Sequence, residues 1–423
     1  MKKIFTVTKF FLIIGILLLS SCQKEISKSN SQEVSASANN GNIPEQMRKI
    51  FVSNVDQLYA AINDAENVDT KIVMSPGTYL LSATYPKGGK LELQYNMSLQ
   101  GQPGKPEEVI IDASALPAGS FSIPPRPAFP GAGRTGVIRL GNGSNSIEWL
   151  TAKGSSLSAA VSVIETDLIT TPVTYIRVAH CIVSGGQIGI DIRNRDPEAN
   201  GRIINAELVD NELTDNLVGF GQGIGIQNSR DVTGAVINAT LRNNHVHGNR
   251  MGIRAYNVVA NQSVIKIEST DDRFEENGLG LALLGAFNEY PNFTAHDNSL
   301  SFEAHGTSII NNLGQPSPPT GTAQVIAGGM MVIGGQISVN SLPGTSSNNK
   351  LDINLWGCQF DGNLAPYDIN AFGARSTYPS SNPAGTNNAV NIWLNGISVN
   401  ATTNLTPSFP IEAAGTNTVN VYR

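Results

Sequence analysis

Two of the chain's five histidines, His245 and His247, stand one residue apart, and carboxylates and arginines recur at comparable positions on either side of them. Upstream are Glu212 and Thr214, and downstream are Arg273 and Glu275. An imidazole transfers protons near neutral pH, and a guanidinium grips an anionic carboxylate through two parallel hydrogen bonds. If the three segments are stacked in space, Glu212, His245 and Arg273 form one row, and Thr214, His247 and Glu275 form the next. His245 or His247 would then be the base, with Arg273 or Arg254 on the anion and Glu275 completing the catalytic set. Glu212, Arg242 and Tyr256 would contact the substrate. Asp271 and Asp272, bordered by Glu275 and Glu276, offer the oxygens that calcium takes, and calcium is the only cofactor these residues suggest. The plain alternative is a set of solvated outward side chains that pair across repeats.

Whether those residues meet depends on what holds them, and the sequence repeats itself around them. An apolar residue is followed three positions later by Gly or Asn and three further on by Gly. The phrase reads Val183-Gly186-Gly189, Leu213-Asn216-Gly219, Val246-Asn249-Gly252 and Phe274-Asn277-Gly280, with looser copies at Ile309/Asn312 and Phe360/Asn363. A period of roughly 28 to 35 residues marks a solenoid, in which one supersecondary unit stacks on the next. Before each phrase runs a strand with alternating faces. Its inward positions are Ile176/Val178, Ala206/Leu208, Ala239/Leu241, Ile267/Ser269, Phe302/Ala304 and Ile353/Leu355. Its outward positions are Arg177, Glu207, Thr240, Glu268, Glu303 and Asn354. Period-two alternation is what a half-buried strand gives. A second strand follows each phrase, over 189–193, 223–227, 252–256 and 280–284.

Aligned in this way, Asn216, Asn249, Asn277, Asn312 and Asn363 fall at one bend, and Asn194, Asn228 and Asn257 at another. Asn tolerates the left-handed geometry of a tight bend, so these are read as turn residues bonding between coils. Cys181 and Cys358 share a column with Asn211, Asn244, Asp272 and Thr307. Five coil steps put the cysteines roughly 24 Å apart at the strand spacing. A disulfide needs less than about 7 Å, so two free, buried thiols are expected. Pro/Gly/Ser-rich excursions at 113–136, 315–322, 341–349 and 375–388 are expected to be loops walling one face. The tail at 417–423 alternates like a last strand.

At the other end, Leu58, Ala61, Ile62 and Ala65 recur at helical spacing, with Ser53 or Asn54 as cap. Strand-like 71–74, the turn Ser75-Pro76-Gly77 and strand-like 78–81 follow. This succession resembles the entry to the right-handed parallel β-helices of the pectin-lyase-like superfamily. An open stack exposes an apolar cross-section and needs such a cap. The fold class read from the sequence is therefore all-β: a right-handed parallel β-helix solenoid over 51–423 with an N-terminal capping helix.

The resemblance implies polysaccharide as the partner, lying along the groove of the parallel sheets. Elimination from a uronic acid needs a cation on the carboxylate, a base for the sugar proton and an acid for the leaving oxygen. The His/Arg/Glu rows contain these types, so a polysaccharide lyase is the first enzymatic reading. Hydrolysis is the second, since Glu268 and Glu303 share an outward column and paired carboxyls roughly 5–5.5 Å or 6.5–9.5 Å apart are what it requires. Polygalacturonases of this fold carry Asn-Thr-Asp, an Asp pair, Gly-His-Gly and Arg-Ile-Lys in order. Here Asp271-Asp272 and His305-Gly306 echo two of these, the other two are missing, and pectate- and alginate-lyase patterns are not recognisable. A non-catalytic carbohydrate-binding, adhesive or structural surface protein is the other reading. Binding would rest on a row of aromatics, for which Tyr256, Trp356 and Tyr367 are the candidates.

The chain opens with Lys2, Lys3 and Lys9 around an apolar run at 10–19 that is too short to span a bilayer. Its end, Leu19-Ser20-Ser21-Cys22, resembles the lipobox of bacterial lipoproteins. That resemblance implies a signal peptide over 1–22, with Cys22 acylated as the first mature residue and serving as the membrane anchor. Residues 23–50 are polar and read as a flexible tether. Gln23-Lys24-Glu25 resembles the short charged signal that sends some Bacteroidetes lipoproteins to the outer face. The expected address is the outer membrane, lipid-anchored and surface-exposed, and a monomer is expected. A net charge of −6 with 15 % charged residues provides no basic stripe for phosphates, which argues against nucleic acid as a partner. There is no His-Glu-x-x-His or Cys-x-x-Cys motif. Gly221-Gln-Gly223-Ile-Gly225 lies inside the repeat, where strand packing explains it.

Overall fold

The computed structural model describes residues 47–123, 133–155, 161–217, 221–288, 293–313, 328–337, 345–364, 368–376, 385–399 and 416–423. Within them each sequence repeat is one coil of three strands, and the same strand of successive coils pairs in parallel. The result is a twelve-stranded first sheet and nine-stranded second and third sheets. The chain is a right-handed parallel β-helix, all-β but for one α-helix among the described residues. One coil shows the layout: Val236–Arg242 lies in the first sheet, His245–His247 in the second and Met251–Val258 in the third. The next coil repeats it with Val264–Thr270, Arg273–Glu275 and Leu279–Asn288.

The alternating pattern sets the register. Ile176, Ala206, Ala239, Ile267, Phe302 and Ile353 are successive cross-strand partners facing the lumen, while Arg177, Glu207, Thr240, Glu268, Glu303 and Asn354 partner one another outside. A slip of one residue would turn each apolar side chain to the other face. The anchors of the repeated phrase, Val183, Leu213, Val246, Phe274 and Ile309, are fully buried in the same lumen. Each such burial contributes about 1.5–3 kcal/mol.

The phrase's Asn and Gly have separate causes. Asn249 Oδ1 accepts from the backbone N–H and the side-chain Nδ2 of Asn216, both at 3.0 Å. Its own Nδ2 donates to Leu213 O at 2.9 Å and to Asn277 Oδ1 at 3.2 Å. The ladder continues through Asn312 to Asn363. The final Gly admits the next coil: a Cβ on Gly252 would lie 2.5 Å from Gly280 O. Asn194, Asn228 and Asn257 form the second ladder.

Between the first and second sheets, Asp210, Asn243 and Asp271 adopt φ of 53°, 54° and 54°. This left-handed step turns the following residue, Asn211, Asn244 or Asp272, into the interior. Asn211 Nδ2 donates to Asn244 Oδ1 at 2.9 Å, and Asn244 Nδ2 to Asp272 Oδ1 at 2.8 Å. Cys181 and Cys358, in the same column, are both buried and free, as the coil separation requires.

The helix Val55–Asn63 starts where Asn54 accepts from the Gln57 N–H at 2.9 Å, and it buries Leu58, Tyr59, Ala61 and Ile62. A strand, Arg48–Val52, precedes it, so pairing begins inside the segment read as tether. The segments read as loops are only partly so. Thr345–Ser347 and Gly385–Thr386 join Thr294–His296 in a small parallel sheet, and Ser122–Ile123 pairs with Gly133–Arg134. The segment 315–322, residues 1–22 read as a signal peptide, and Cys22 with them lie outside the described residues. Thr418–Tyr422 closes the first sheet as its last strand.

Candidate functional site

The second sheet brings Glu212, His245, His247, Arg273 and Glu275 together. Glu212 is the cross-strand partner of His245, which partners Arg273; Thr214, His247 and Glu275 form the parallel column. Val246, between the histidines, points inward, so both rings stand on one outer face and stack with centroids 4.2 Å apart. The carboxylates reach diagonally rather than straight across. Glu275 Oε1 lies 2.5 Å from His245 Nε2, and Glu212 Oε1 lies 3.2 Å from His247 Nε2. The second oxygen of Glu275 accepts from Arg273. Partial burial pushes the Glu275 carboxyl up, but the bonds from Arg273 and His245 outweigh it and hold it below the usual range. A carboxylate at Nε2 can only accept, which places the ring hydrogen there and the lone pair of a neutral His245 on Nδ1. Arg273 keeps more than half of its side chain in solvent.

Other candidates do not join this group. Arg254 and Tyr256 lie on the third sheet, with the Arg254 guanidinium 4.3 Å from the centre of the Tyr256 ring. Arg242 ends a strand of the first sheet and pairs with Glu207, which also binds Arg177. That pairing makes Arg242 part of a charge ladder along the coils. Asp271 is exposed, whereas Asp272 is 1 % exposed and points into the interior. The left-handed bend at Asp271 separates the two carboxylates, so they do not share a calcium site. Among the described residues no three His, Cys, Asp or Glu side chains converge on a metal position. Glu268 and Glu303 are cross-strand partners on the first sheet, and Glu303 also bonds His305 at 2.9 Å. Trp356 sits on the first sheet beside His305, away from Tyr256, and Tyr367 lies outside the described residues. No aromatic row forms among the described candidates.

The third sheet holds a group that sequence reasoning missed. Its outward column runs Glu92, Arg139, Glu165, Asp191, Gly225, Arg254 and Ala282 as successive cross-strand partners. Glu165 and Asp191 are fully buried although their flanking isoleucines, Ile164, Ile190 and Ile192, take the lumen side. Arg193 lies 2.5 Å from Glu165 Oε1 and 3.0 Å from Asp191 Oδ2. Gln227 Nε2 donates to both Asp191 oxygens, at 3.0 and 3.1 Å, and Ser162 Oγ to Oδ2 at 3.2 Å. Burial pushes the Glu165 carboxyl up to about 8 against the pull of Arg193, and the Asp167 and Asp191 charges add to the rise. Past Arg254 the same outer face turns apolar, with Met251, Leu279, Leu284, Phe287 and Ile333 buried in a cluster of their own. The signal was the alternation of Asp191 and Arg193 with isoleucines. Periodicity shows that such residues face outward, but not that the outer face is covered.

No protein-family model and no curated protein matches the chain. Among solved structures it is similar to the A-module of a mannuronan C-5 epimerase from Azotobacter vinelandii, at 12 % identity over 79 % of this chain and 97 % of that one, with a TM-score of 0.35. A pectate lyase is 12 % identical over 80 % and 78 % of the two chains, with a TM-score of 0.36. A surface adhesin of Streptococcus pneumoniae is 12 % identical over 80 % and 83 %, with a TM-score of 0.32. Likeness this low says nothing about chemistry, and the fold rests on the chain's own strand ladders.

Proposed function

We propose that the protein is a surface-exposed, outer-membrane lipoprotein, anchored through Cys22, that engages polysaccharide and cleaves a uronate-containing chain by elimination. The observation that carries the reading is the pairing of His245 with Glu275 on an open sheet face beside Arg273. His245, oriented by Glu275, would take the proton next to the sugar carboxylate through Nδ1. Arg273 would neutralise that carboxylate, and His247, held by Glu212, would protonate the leaving oxygen. The long, evenly spaced outer faces of a solenoid suit an extended polymer. A second reading, binding without turnover, is favoured by a specific feature: all five side chains already pair with one another.

The test is incubation of the chain with uronate-rich and neutral polysaccharides. Ultraviolet-absorbing unsaturated ends are expected from a uronate polymer, with loss of at least about 100-fold in rate in His245→Ala. Binding to the same polymer without new ends would support the second reading. No binding and no turnover across the panel would refute both.

A further inference from the structure

The outer face of the first sheet changes character towards its C-terminal end. In the central coils its outward positions are charged or polar, from Arg177 and Glu207 to Glu268 and Glu303. In the last coils they turn aromatic. Trp356 is the cross-strand partner of His305, and in the neighbouring outward column Asn354 is followed by Trp393 and then by Tyr422. The Trp393 and Tyr422 rings are 13° from parallel with centroids 5.0 Å apart, and the His305 and Trp356 rings are 3° from parallel with centroids 6.4 Å apart. Trp356, Trp393 and Tyr422 stand on three successive coils, so the strip they form runs about 9.5 Å along the solenoid at the strand spacing.

The strip is open at both ends. Pairing of the following strand ends at Trp393, opposite Asn354, so no residue pairs across Trp356, which is 45 % exposed. No strand of the sheet follows Thr418–Tyr422 among the described residues, and Tyr422 is 46 % exposed. Neighbouring large aromatics left in solvent in this way mark a contact surface. Polar groups flank the rings. Asn391 and Asn420 lie two residues before Trp393 and Tyr422 on the same face, and Asn420 Nδ2 donates to Asn391 Oδ1 at 2.9 Å, while Asn391 Nδ2 donates to Asp352 Oδ1 at 2.8 Å. Each amide has a second N–H to offer a ligand hydroxyl. Asp352 also pairs with Lys350 at 2.7 Å, and Glu303 bonds His305 at 2.9 Å, so these charges are answered within the sheet. Rings bordered by amides match a pyranose unit, whose C–H face packs on an aromatic ring while its hydroxyls meet the polar rim.

We propose that Trp356, Trp393 and Tyr422 form a platform that binds an uncharged pyranose polymer at the last coils of the first sheet. The proposal rests on the reading that polysaccharide is this protein's ligand, and not on elimination at His245. The amide rim selects hydroxyls, where the Arg273 site would select a carboxylate. The strip holds sugar by stacking and hydrogen bonding and performs no chemistry on it.

The probes are soluble glucan, galactan, mannan and xylan, applied to the full chain in affinity electrophoresis. Retardation by at least one of them is expected. Two of the chain's three tryptophans lie in the strip, so the same polymer should shift tryptophan emission in the unmodified chain. Trp356→Ala and Trp393→Ala should each weaken binding by about tenfold or more, and Trp393→Phe should recover most of the loss. Trp149→Ala, which removes the tryptophan stacked on His180 several coils away, should leave binding unchanged. Lack of binding to all four polymers, or binding that survives both Ala substitutions, would overturn the proposal. So would a concentration-dependent dimer that both substitutions abolish, because the strip would then belong to a second copy of the chain. Binding of uncharged polymers produces no unsaturated ends, so this test succeeds or fails whatever happens at His245.

Discussion

Replacing Asp272 by Asn should stabilise the fold, and only where the carboxyl is ionised. The side chain is 1 % exposed at the interior bend between the first and second sheets. Its Oδ1 accepts from Asn244 N at 2.7 Å and Nδ2 at 2.8 Å, and its Oδ2 from Ser269 Oγ at 2.6 Å. Burial pushes the carboxyl from 3.8 up to about 6 in spite of those bonds. A rise of that size, at about 1.36 kcal/mol per pH unit, costs about 3 kcal/mol once the group is charged in both states. Below pH 3.8 the acid is neutral folded and unfolded, and there is no cost. Between 3.8 and 6 the unfolded chain ionises first, so stability falls as pH rises, and above 6 the full cost applies. Asn has the shape of the protonated acid, and the two preceding positions of the ladder are Asn211 and Asn244. Urea unfolding at pH 8 should therefore show Asp272→Asn more stable by about 3 kcal/mol, with the difference shrinking to near zero at pH 4. A variant that is less stable at pH 8, or whose difference does not change with pH, would refute the reasoning.

Asn249→Ala leaves the Asn216 N–H and the Leu213 carbonyl without their buried partner, so a loss on the order of 3 kcal/mol is expected from a shift in the urea midpoint. Asn238→Ala removes an outer-face bond to Asn205 and should change the midpoint by less than about 1 kcal/mol. Burial pushes the Cys181 thiol up to about 12 and raises Cys358 as well, so neither should react with a thiol-directed disulfide reagent at pH 8 until denaturant is added. Rapid reaction of either cysteine in the folded chain would contradict the burial described.

Much of the solenoid was legible because its rules are local. Alternation in 203–209 and 236–242 sets which side chains face the lumen, and the spacing of Asn216, Asn249 and Asn277 sets the stacking of coils. The same alignment placed Glu212, His245 and Arg273 in one row. It could not say that Glu275 would cross to His245 rather than stay beside His247, because side-chain reach across a sheet depends on rotamers and competing partners. Arg254 shares a coil with the histidines, as the alignment placed it, but the bend at Asn249 carries it to another sheet.

From the order of its residues alone, then, the chain determined the coil, its register, the free cysteines and the row of Glu212, His245 and Arg273, since period and spacing are properties of a single strand and its nearest copies. Tertiary structure alone decided which outward residues lie in water. Glu165 and Asp191 occupy outward positions like those of Glu268 and Glu303, yet the first pair is fully buried and the second exposed. Burial on the outer face depends on what packs over it from distant parts of the chain. The resulting desolvation, not residue type, pushes the Glu165 carboxyl above the usual carboxylate range against the pull of Arg193.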